Sequence, residues 1–455
     1  MIKNRSNSSK HIEKAFIEDI SKYENLDHLN AVIDVYWGDN SASPLPYYIK
    51  VFKTIQNYYH NDAPKVIIMS GSISDAPKVN KVADHFEKNQ KKTILVFSIM
   101  FNICFLAVFK YLDFTIQNIN FIFGSNIALV GLPFPLALSF VTFQTIAYLV
   151  DCYDGNIKKI NLTKFSLFII FFPQLIAGPI VKYNEMMPQF ISKKNKIIDH
   201  KNILIGLAVF CIGYIKKIYI ADNLSLIADF GFANSFDLTF FSSWLTSLSF
   251  TFQIYFDFSG YIDMATGVAL LFNIRLPKNF DSPYLSTSLI NFWQRWHITL
   301  SSFLMNYIYF PWLKSMKSIN FFKSMMITLF VFLIAGIWHG PTWLYVIFGA
   351  LHGFGLIINH TFNKFFEFKF NKYLGWFITF NYVNLTLIFF RSQEISTPIN
   401  ILEAMLGLKG FEKFIFDVEN LFIIAIFIVV IITTFILPNI NNLIDDYFKK
   451  NKINN

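Results

Sequence analysis

Runs of about twenty apolar residues, separated by short polar stretches, recur along the chain from Thr93 onward. That length matches a hydrocarbon core ~30 Å thick, so each run reads as a membrane-spanning helix or a piece of one. The pattern predicts spans at 93–109, 127–150, 165–180 and 203–221. A pair follows at 240–256 and 262–272, broken at the sequence FDFSGY, and then an amphipathic stretch at 289–312. Spans at 325–338 and 344–359 flank a His-Gly-Pro break, and 376–390 and 421–437 complete ten or eleven segments. Several are short or cut by Pro and Gly, as at Pro133 and Pro135. Non-helical backbone at membrane depth persists only where protein or water satisfies it, so these cuts predict re-entrant pieces lining a cavity. The fold class expected is an all-α polytopic membrane protein.

Residues 1–91 follow another pattern. They are polar, hold no span, and lack the short apolar core of a signal peptide. Ile12, Phe16 and Ile20 sit at helical spacing, and the segment 65–70 (KVIIMS) predicts a short buried strand before turn residues. The fragment DAPKV starts at Asp62 and again at Asp75, which is too little for a repeat array. No chemistry is visible in this part. The organisation expected is a polar segment at 1–91, a membrane domain at 92–438 and a polar tail at 439–455.

Composition agrees with the pattern: 54% of residues are hydrophobic, 55 are Phe and 15% are charged, more uninterrupted apolar sequence than a soluble core needs. Cys104, Cys152 and Cys211 stand in or beside apolar runs, which excludes a disulfide framework. No Cys/His spacing suggests zinc. The net charge is +9, and 1–91 holds twelve basic against eleven acidic residues, so nearly all the excess lies in the membrane part. Basic loops on a membrane protein point to cytoplasmic loops and anionic lipid, not to nucleic acid. The clearest such loop, 182–201, sets five Lys against Glu185 and Asp199. With re-entrant segments in the chain, counting basic residues does not set the membrane orientation. Arginine is scarce, and three of its four positions (Arg275, Arg295 and Arg391) border apolar segments. A planar, permanently charged fork has a use there; chance placement is the other reading.

Ionisable groups within apolar runs cost ~2.5–3.5 kcal/mol on insertion scales and mark function by default. His339 ends an apolar helix that Gly340 and Pro341 then stop. If that helix starts near Met325, the imidazole lies ~21 Å along it, below the far surface. Exposed carbonyls at such an end can hold one imidazole nitrogen, which would position a base. A packed, hydrogen-bonded histidine is the competing reading. His297 follows Arg295 in NFWQRWHITLSSF. At helical spacing Trp293, Trp296 and His297 share a face, where Trp296 would wall off solvent or mark the membrane interface. Arg295 would turn elsewhere, to an anionic head group or Asp281. Asp257 and Asp263 flank Ser259-Gly260; Asp257 reads as the cap of a helix beginning near Ile262, and a structural role is favoured for both. His352, expected near the last turns of its helix, would line the cavity, and His360 would lie at the surface. The serines lack a nucleophile elbow, and no glycine loop cradles phosphate.

Longer motifs carry a resemblance. FFPQLIAGPIVKY (171–183), FDFSGYIDMATGVALLFNIRLPKNFDSPY (256–284), FWQRWHITLSSFL (292–304), GIWHGPTW (336–343) and ALHG (350–353) resemble the membrane-bound O-acyltransferases. The similarity runs from about 93 to 437 and is nearest the bacterial alginate and peptidoglycan O-acetyltransferases. The QLIAGPI form favours this branch over the D-alanyl branch acting on teichoic acids. The resemblance implies a helical bundle with re-entrant segments around a deep central funnel. It matches the family's invariant histidine to His339 and its second motif histidine to His297. It also implies transfer of acetyl groups from a cytoplasmic thioester, with acetyl-CoA as donor, across a bacterial plasma membrane for O-acetylation of a cell-wall or extracellular polysaccharide. The extracytoplasmic partner implied is an SGNH-type acetyltransferase. No bound cofactor and no metal are expected. His339 would be the base and His297 would orient reactants or donate to the carbonyl oxygen, while Trp338 and Trp343 would wall the tunnel. The polar segment 1–91 departs from the family, whose members begin with apolar helices; without them the funnel rim would stand open. Two other readings use the same residues: a transporter or proton relay built on intramembrane histidines, and an inactive assembly scaffold.

Overall fold

The computed structural model describes residues 31–34, 66–69, 88–367, 370–411, 420–437, 439–440 and 442–444. The helical spacing over Ile12, Phe16 and Ile20 and nearly all of the polar tail lie outside the described residues. The chain divides into two compact units, Met1–Phe101 with Leu149–Leu167, and Asn102–Tyr148 with Phe168–Asn455. In the first, β1 (Ala31–Asp34) runs parallel to β2 (Val66–Met69), with Ala31 opposite Val66. β2 is the strand expected at 65–70. The other regular elements among the described residues are helices.

The first helix, α1 (Lys88–Phe123), runs for 36 residues, well beyond the end expected at 109. Its polar residues find lateral partners and so need not end it: Asp113, for one, accepts from the backbone N–H groups of Val130 and Gly131 at 2.8 and 3.0 Å. The second span expected at 127–150 starts late. Residues 124–137 form a connection and α2 is Leu138–Tyr153. Pro133 and Pro135 lack the N–H groups a helix needs there. The third splits into α3 (Leu162–Ile170) and α4 (Phe172–Leu175), with Pro173 at the restart. α5 (Tyr183–Ile191) opens the basic loop. α6 (His200–Tyr214) is capped by Asp199, whose carboxylate accepts from the N–H groups of Lys201 and Asn202. It continues through a π-helical turn, Ile215–Ala221, into α7 (Asp222–Ala233).

The expected break at FDFSGY does not occur. α8 (Phe240–Leu271) is one helix of 32 residues, started by a capping box between Thr239 and Ser242. Asp257 therefore sits inside a helix and caps nothing. Its carboxylate meets Lys217 at 2.7 Å, and Lys217 also holds Asp222 at 2.7 Å. The buried Asp263 is paired with Lys216 at 2.6 Å. Gly260 bends nothing either; it lets α6 approach. A Cβ there would stand 2.8 Å from the Gly213 carbonyl oxygen, and one on Gly267 would stand 2.5 Å from that of Gly206. Small residues that bring backbones together are a usual basis for helix pairing in membranes.

The stretch 289–312 is likewise not one amphipathic helix. It divides into α9 (Leu289–Trp293), α10 (Ile298–Leu304), a π-helical turn at Met305–Tyr309 and α11 (Phe310–Ser315). α12 (Phe321–His339) and α13 (Trp343–Phe365) form a hairpin. Gly336 and Gly349 bring its arms together, since a Cβ on Gly349 would be 2.3 Å from the Phe332 carbonyl oxygen. α14 (Lys372–Arg391), α15 (Ser396–Met405) and α16 (Asn420–Ile431) follow. Among the described residues five stretches are long and apolar enough to cross a membrane: Lys91–Phe123, His200–Ala233, Phe321–His339, Trp343–Phe365 and Lys372–Arg391. α8 is long enough but carries Ser, Thr and Asp through its length, and most of it is buried against other helices.

The α6–α8 contact has a direct test. Gly267→Ala places its new methyl against backbone on α6, which cannot swing away. Thermal unfolding of the detergent-solubilised variant is expected to show a loss of about 1–3 kcal/mol. An unchanged melting curve would remove the close approach from the account of the fold.

Candidate functional site

Three imidazoles, His297, His339 and His352, come from different elements; His339 and His352 both contact the ring of Phe348, at 6.1 and 4.6 Å between ring centres. What distinguishes them is how far the protein satisfies each ring.

His352 is fully satisfied. It is buried in the middle of α13, not in its last turns. The indole N–H of Trp293 donates to Nδ1 at 3.2 Å, which makes Nδ1 the bare nitrogen. Nε2 therefore carries the proton and donates to Thr386 Oγ1 at 3.0 Å, whose own hydroxyl donates to the Val383 carbonyl at 2.8 Å. With both nitrogens engaged, this histidine is a packing element and not a cavity lining. His360 is half-buried rather than at the surface.

His297 is half satisfied. It stands between α9 and α10 with φ 44° and ψ 54°, a left-handed backbone that residues other than glycine rarely adopt. The expected helical face with Trp293 and Trp296 is therefore absent. The side chain is buried, edge-on to Phe258 at 4.9 Å between ring centres. Its Nδ1 lies 3.1 Å from Asn279 Oδ1. That same oxygen accepts the Thr299 backbone N–H at 3.1 Å and its hydroxyl at 2.8 Å. An oxygen so used only accepts, so Nδ1 carries the proton and Nε2 presents its lone pair. Thr299 Oγ1 in turn accepts from the Ile180 N–H at 3.0 Å, tying the QLIAGPI segment to the same node. A cavity of about 120 Å³ adjoins Ile180 and Thr299, with Lys182, Glu185 and Lys278 at its wall.

His339 has no partner for either ring nitrogen among the described residues. It closes α12 as expected, and Gly340 continues in extended backbone. Its ring sits among Trp338 (5.0 Å), Phe390 (5.0 Å), Phe348 (6.1 Å) and Tyr345 (6.3 Å), yet remains only partly buried. The carbonyls beside it do not hold the imidazole, contrary to expectation. Those of Trp338 and His339 accept from the Lys110 ammonium, and that of Ile337 accepts from the Tyr111 hydroxyl.

The other candidates separate. Trp338 is buried, stacked on Phe143 at 5.0 Å, and its indole N–H has no acceptor among the described residues. Trp343 does not wall an interior passage: it is 60% exposed and donates to Asn118 Oδ1 at 2.9 Å. Trp296 is buried against Phe280, Tyr284 and Phe292, so it packs the core and marks no interface. Arg295 does turn to Asp281, its guanidinium donating to the backbone carbonyl at 3.2 Å. Asp257 is spent on Lys217 on a half-exposed face.

Asn279, Thr299, Thr386 and Lys110 were not visible as site residues from the sequence. Asn279 lies within the quoted motif at 256–284, but no spacing rule links it to His297. Lys110 had a signal: it is the one charge in an apolar run of α1, just past the span end expected at 109.

Asn279→Ala strands three donors on one buried node, each worth about 1–3 kcal/mol when left unpaired. A marked fall in melting temperature is expected, and a melting point equal to the parent's would rule out the node. The loop that carries Asn279 is pinned by Asp281, whose carboxylate meets Lys278 at 2.8 Å. Burial pushes the Asp281 carboxyl up, but the Lys278 ammonium, with Asn442 and Arg295, outweighs it and holds the group below its usual 3.8. A carboxyl lowered on folding stabilises the fold above its unfolded value and loses that effect as pH falls through the folded one. Asp281→Asn should therefore flatten the decline in melting temperature below about pH 4; curves that stay parallel from pH 6 to pH 3 would exclude this.

Known proteins resemble this chain. The model of the membrane-bound O-acyltransferase family matches residues 151–393. The peptidoglycan O-acetyltransferase of Helicobacter pylori is 42% identical over 349 residues, covering 70% of this chain and 66% of that protein. The probable alginate O-acetylase AlgI of Pseudomonas aeruginosa is 35% identical over 318 residues, covering 68% of this chain and 60% of that protein. The teichoic acid D-alanyltransferase of Streptococcus thermophilus is 29% identical over 288 residues, covering 56% of this chain and 68% of that protein. The chain thus spans less than two thirds of the length of either of the first two, 66% and 60%. More than half of its own residues, including all three imidazoles and the Asn279 node, fall within the matched segment, and the chain belongs to the membrane-bound O-acyltransferase family.

Proposed function

We propose that this chain is the membrane part of an O-acetylation system. It would take acetyl groups from a cytoplasmic thioester, acetyl-CoA, and pass them across the plasma membrane for O-acetylation of a cell-wall or extracellular polysaccharide, peptidoglycan or alginate-like. An SGNH-type protein outside the membrane would receive the acetyl group and place it on the glycan. The relatives named for peptidoglycan and alginate acetylation, at 42% and 35% identity, support the acetyl reading over D-alanyl transfer at 29%.

The observation that carries this reading is the imidazole of His339, left without a partner at a helix end while the other two rings are engaged. Acyl transfer from a thioester needs a base for the incoming hydroxyl, a donor for the oxyanion, and exclusion of water. His339 takes the hydroxyl proton as the oxygen attacks the thioester carbonyl carbon. The C–O bond forms, the carbonyl pair moves to oxygen, and its return breaks the C–S bond. The thiolate leaves with the proton from the imidazolium, so His339 ends as it began. The unpaired indole N–H of Trp338 is a donor available to the oxyanion. His297, fixed as the Nδ1–H tautomer, turns a lone pair, not a proton, from its Nε2, so it can orient a donor on the substrate but cannot donate to the oxyanion. Gln144, Asn279 Nδ2 and Ser301 on neighbouring elements are also buried without a protein partner, as polar groups facing water or substrate are.

His339→Ala, present in membranes at normal level, is expected to reduce base-labile acetate on the glycan by about 10²-fold or more. Parental acetylation in that variant would refute the role of the imidazole.

A further inference from the structure

We infer that Lys110 and Tyr111 are positioning residues for His339, holding the end of α12 by its carbonyls. This rests on the reading of His339 as the reacting group. α12 stops at Gly340 and Pro341, so its last carbonyls have no intrahelical donor. Three successive ones, on Ile337, Trp338 and His339, are taken by two adjacent residues of α1. The same helix reaches the other side of the turn. Phe114 packs on Trp343 at 5.8 Å between ring centres, and Asn118 accepts the Trp343 indole N–H at 2.9 Å. Lys110, Phe114 and Asn118 are spaced by four and share one face. α1 thus grips both the residue that ends α12 and the residue that begins α13, with the turn bearing His339 between them.

The charge of Lys110 is not a surface accident. It lies 22 residues from the start of α1 and 13 from its end, about 33 and 20 Å at 1.5 Å per residue, too far for its side chain to reach either end. No carboxylate pairs with it among the described residues. A helix C-terminus carries partial negative charge on its free carbonyls, and here it is what the ammonium faces. Lys110 also stands 5.7 Å from the Trp338 ring centre, on the side chain next to the imidazole. Removing the ammonium would let the last turn of α12 fray and His339 drift.

The test uses the full chain in proteoliposomes with acetyl-CoA and a soluble oligosaccharide bearing free hydroxyls as acceptor, reading release of the CoA thiol, beside hydrogen exchange of the peptide 336–343. In Lys110→Met, kcat is expected to fall about tenfold to hundredfold with KM for acetyl-CoA within about twofold of the parent, the mark of misplaced reacting atoms. Amide exchange in 336–343 should accelerate. Lys110→Arg, which keeps the charge, should recover most of both. Parental kcat in Lys110→Met, a change in KM alone, unaltered exchange, or an arginine variant as poor as the methionine one would each overturn the inference. Should Lys110→Met fail to reach the membrane, Tyr111→Phe carries the test: it loses one carbonyl contact, with kcat expected down several-fold at constant KM, and a parental kcat counts against the inference. His339→Ala separates the two levels. Full turnover in that variant sinks the functional reading itself, while the exchange measurement still reports on the clasp.

Discussion

A carbonyl inside a bilayer must find its donor within the protein. That constraint shapes the end of α12 more than any other part of this chain. Gly340 and Pro341 stop the helix, and its free carbonyls fall to α1. The same rule accounts for the buried Asp263 beside Lys216, and for Asn384, whose oxygen accepts from Ser247 at 2.9 Å and Thr251 at 2.6 Å. It also sorts the histidines. His352 is closed by Trp293 and Thr386, His297 is closed on one nitrogen by Asn279, and His339 is closed on neither. A polar group left open where its neighbours are satisfied is most simply one whose partner arrives from outside.

Much of the architecture was legible because membrane depth imposes a length on apolar runs. α12 and α14 begin and end within four residues of their expected bounds, α13 starts as expected and runs six residues longer, and the stop at His339 follows from Gly340 and Pro341. Two of the failures share a cause. A Gly or a charge in an apolar run looks like a break, and the chain uses several of them as contacts. Gly260 and Gly267 admit α6 to α8, so the helix runs on through FDFSGY. Lys110 and Asp113 sit inside α1 because they have partners far along the sequence. Conversely, 289–312 looked like one amphipathic helix, yet His297 takes a left-handed backbone that no periodicity announces. The two motif histidines are legible by resemblance; the tautomer of His297 shows only through Asn279 and Thr299, and the unengaged ring of His339 only through its aromatic neighbours.

The left-handed backbone at His297 and the open imidazole at His339 both work against stability. A residue held in a sparsely populated backbone region costs of order 1–3 kcal/mol, and a partly buried ring without a partner forgoes the ~0.5–1.5 kcal/mol of a hydrogen bond. Such features persist only where the surroundings over-determine them. Here they do: Asn279 Oδ1 binds three donors around His297, and the turn after His339 is gripped at both ends by α1 while Gly336 and Gly349 lock its hairpin. The carbonyls at the end of α12 accept from Lys110 and Tyr111, and neither nitrogen of His339 has a partner among the described residues. The clasp therefore fixes the ring in place through its backbone and leaves the imidazole itself unengaged.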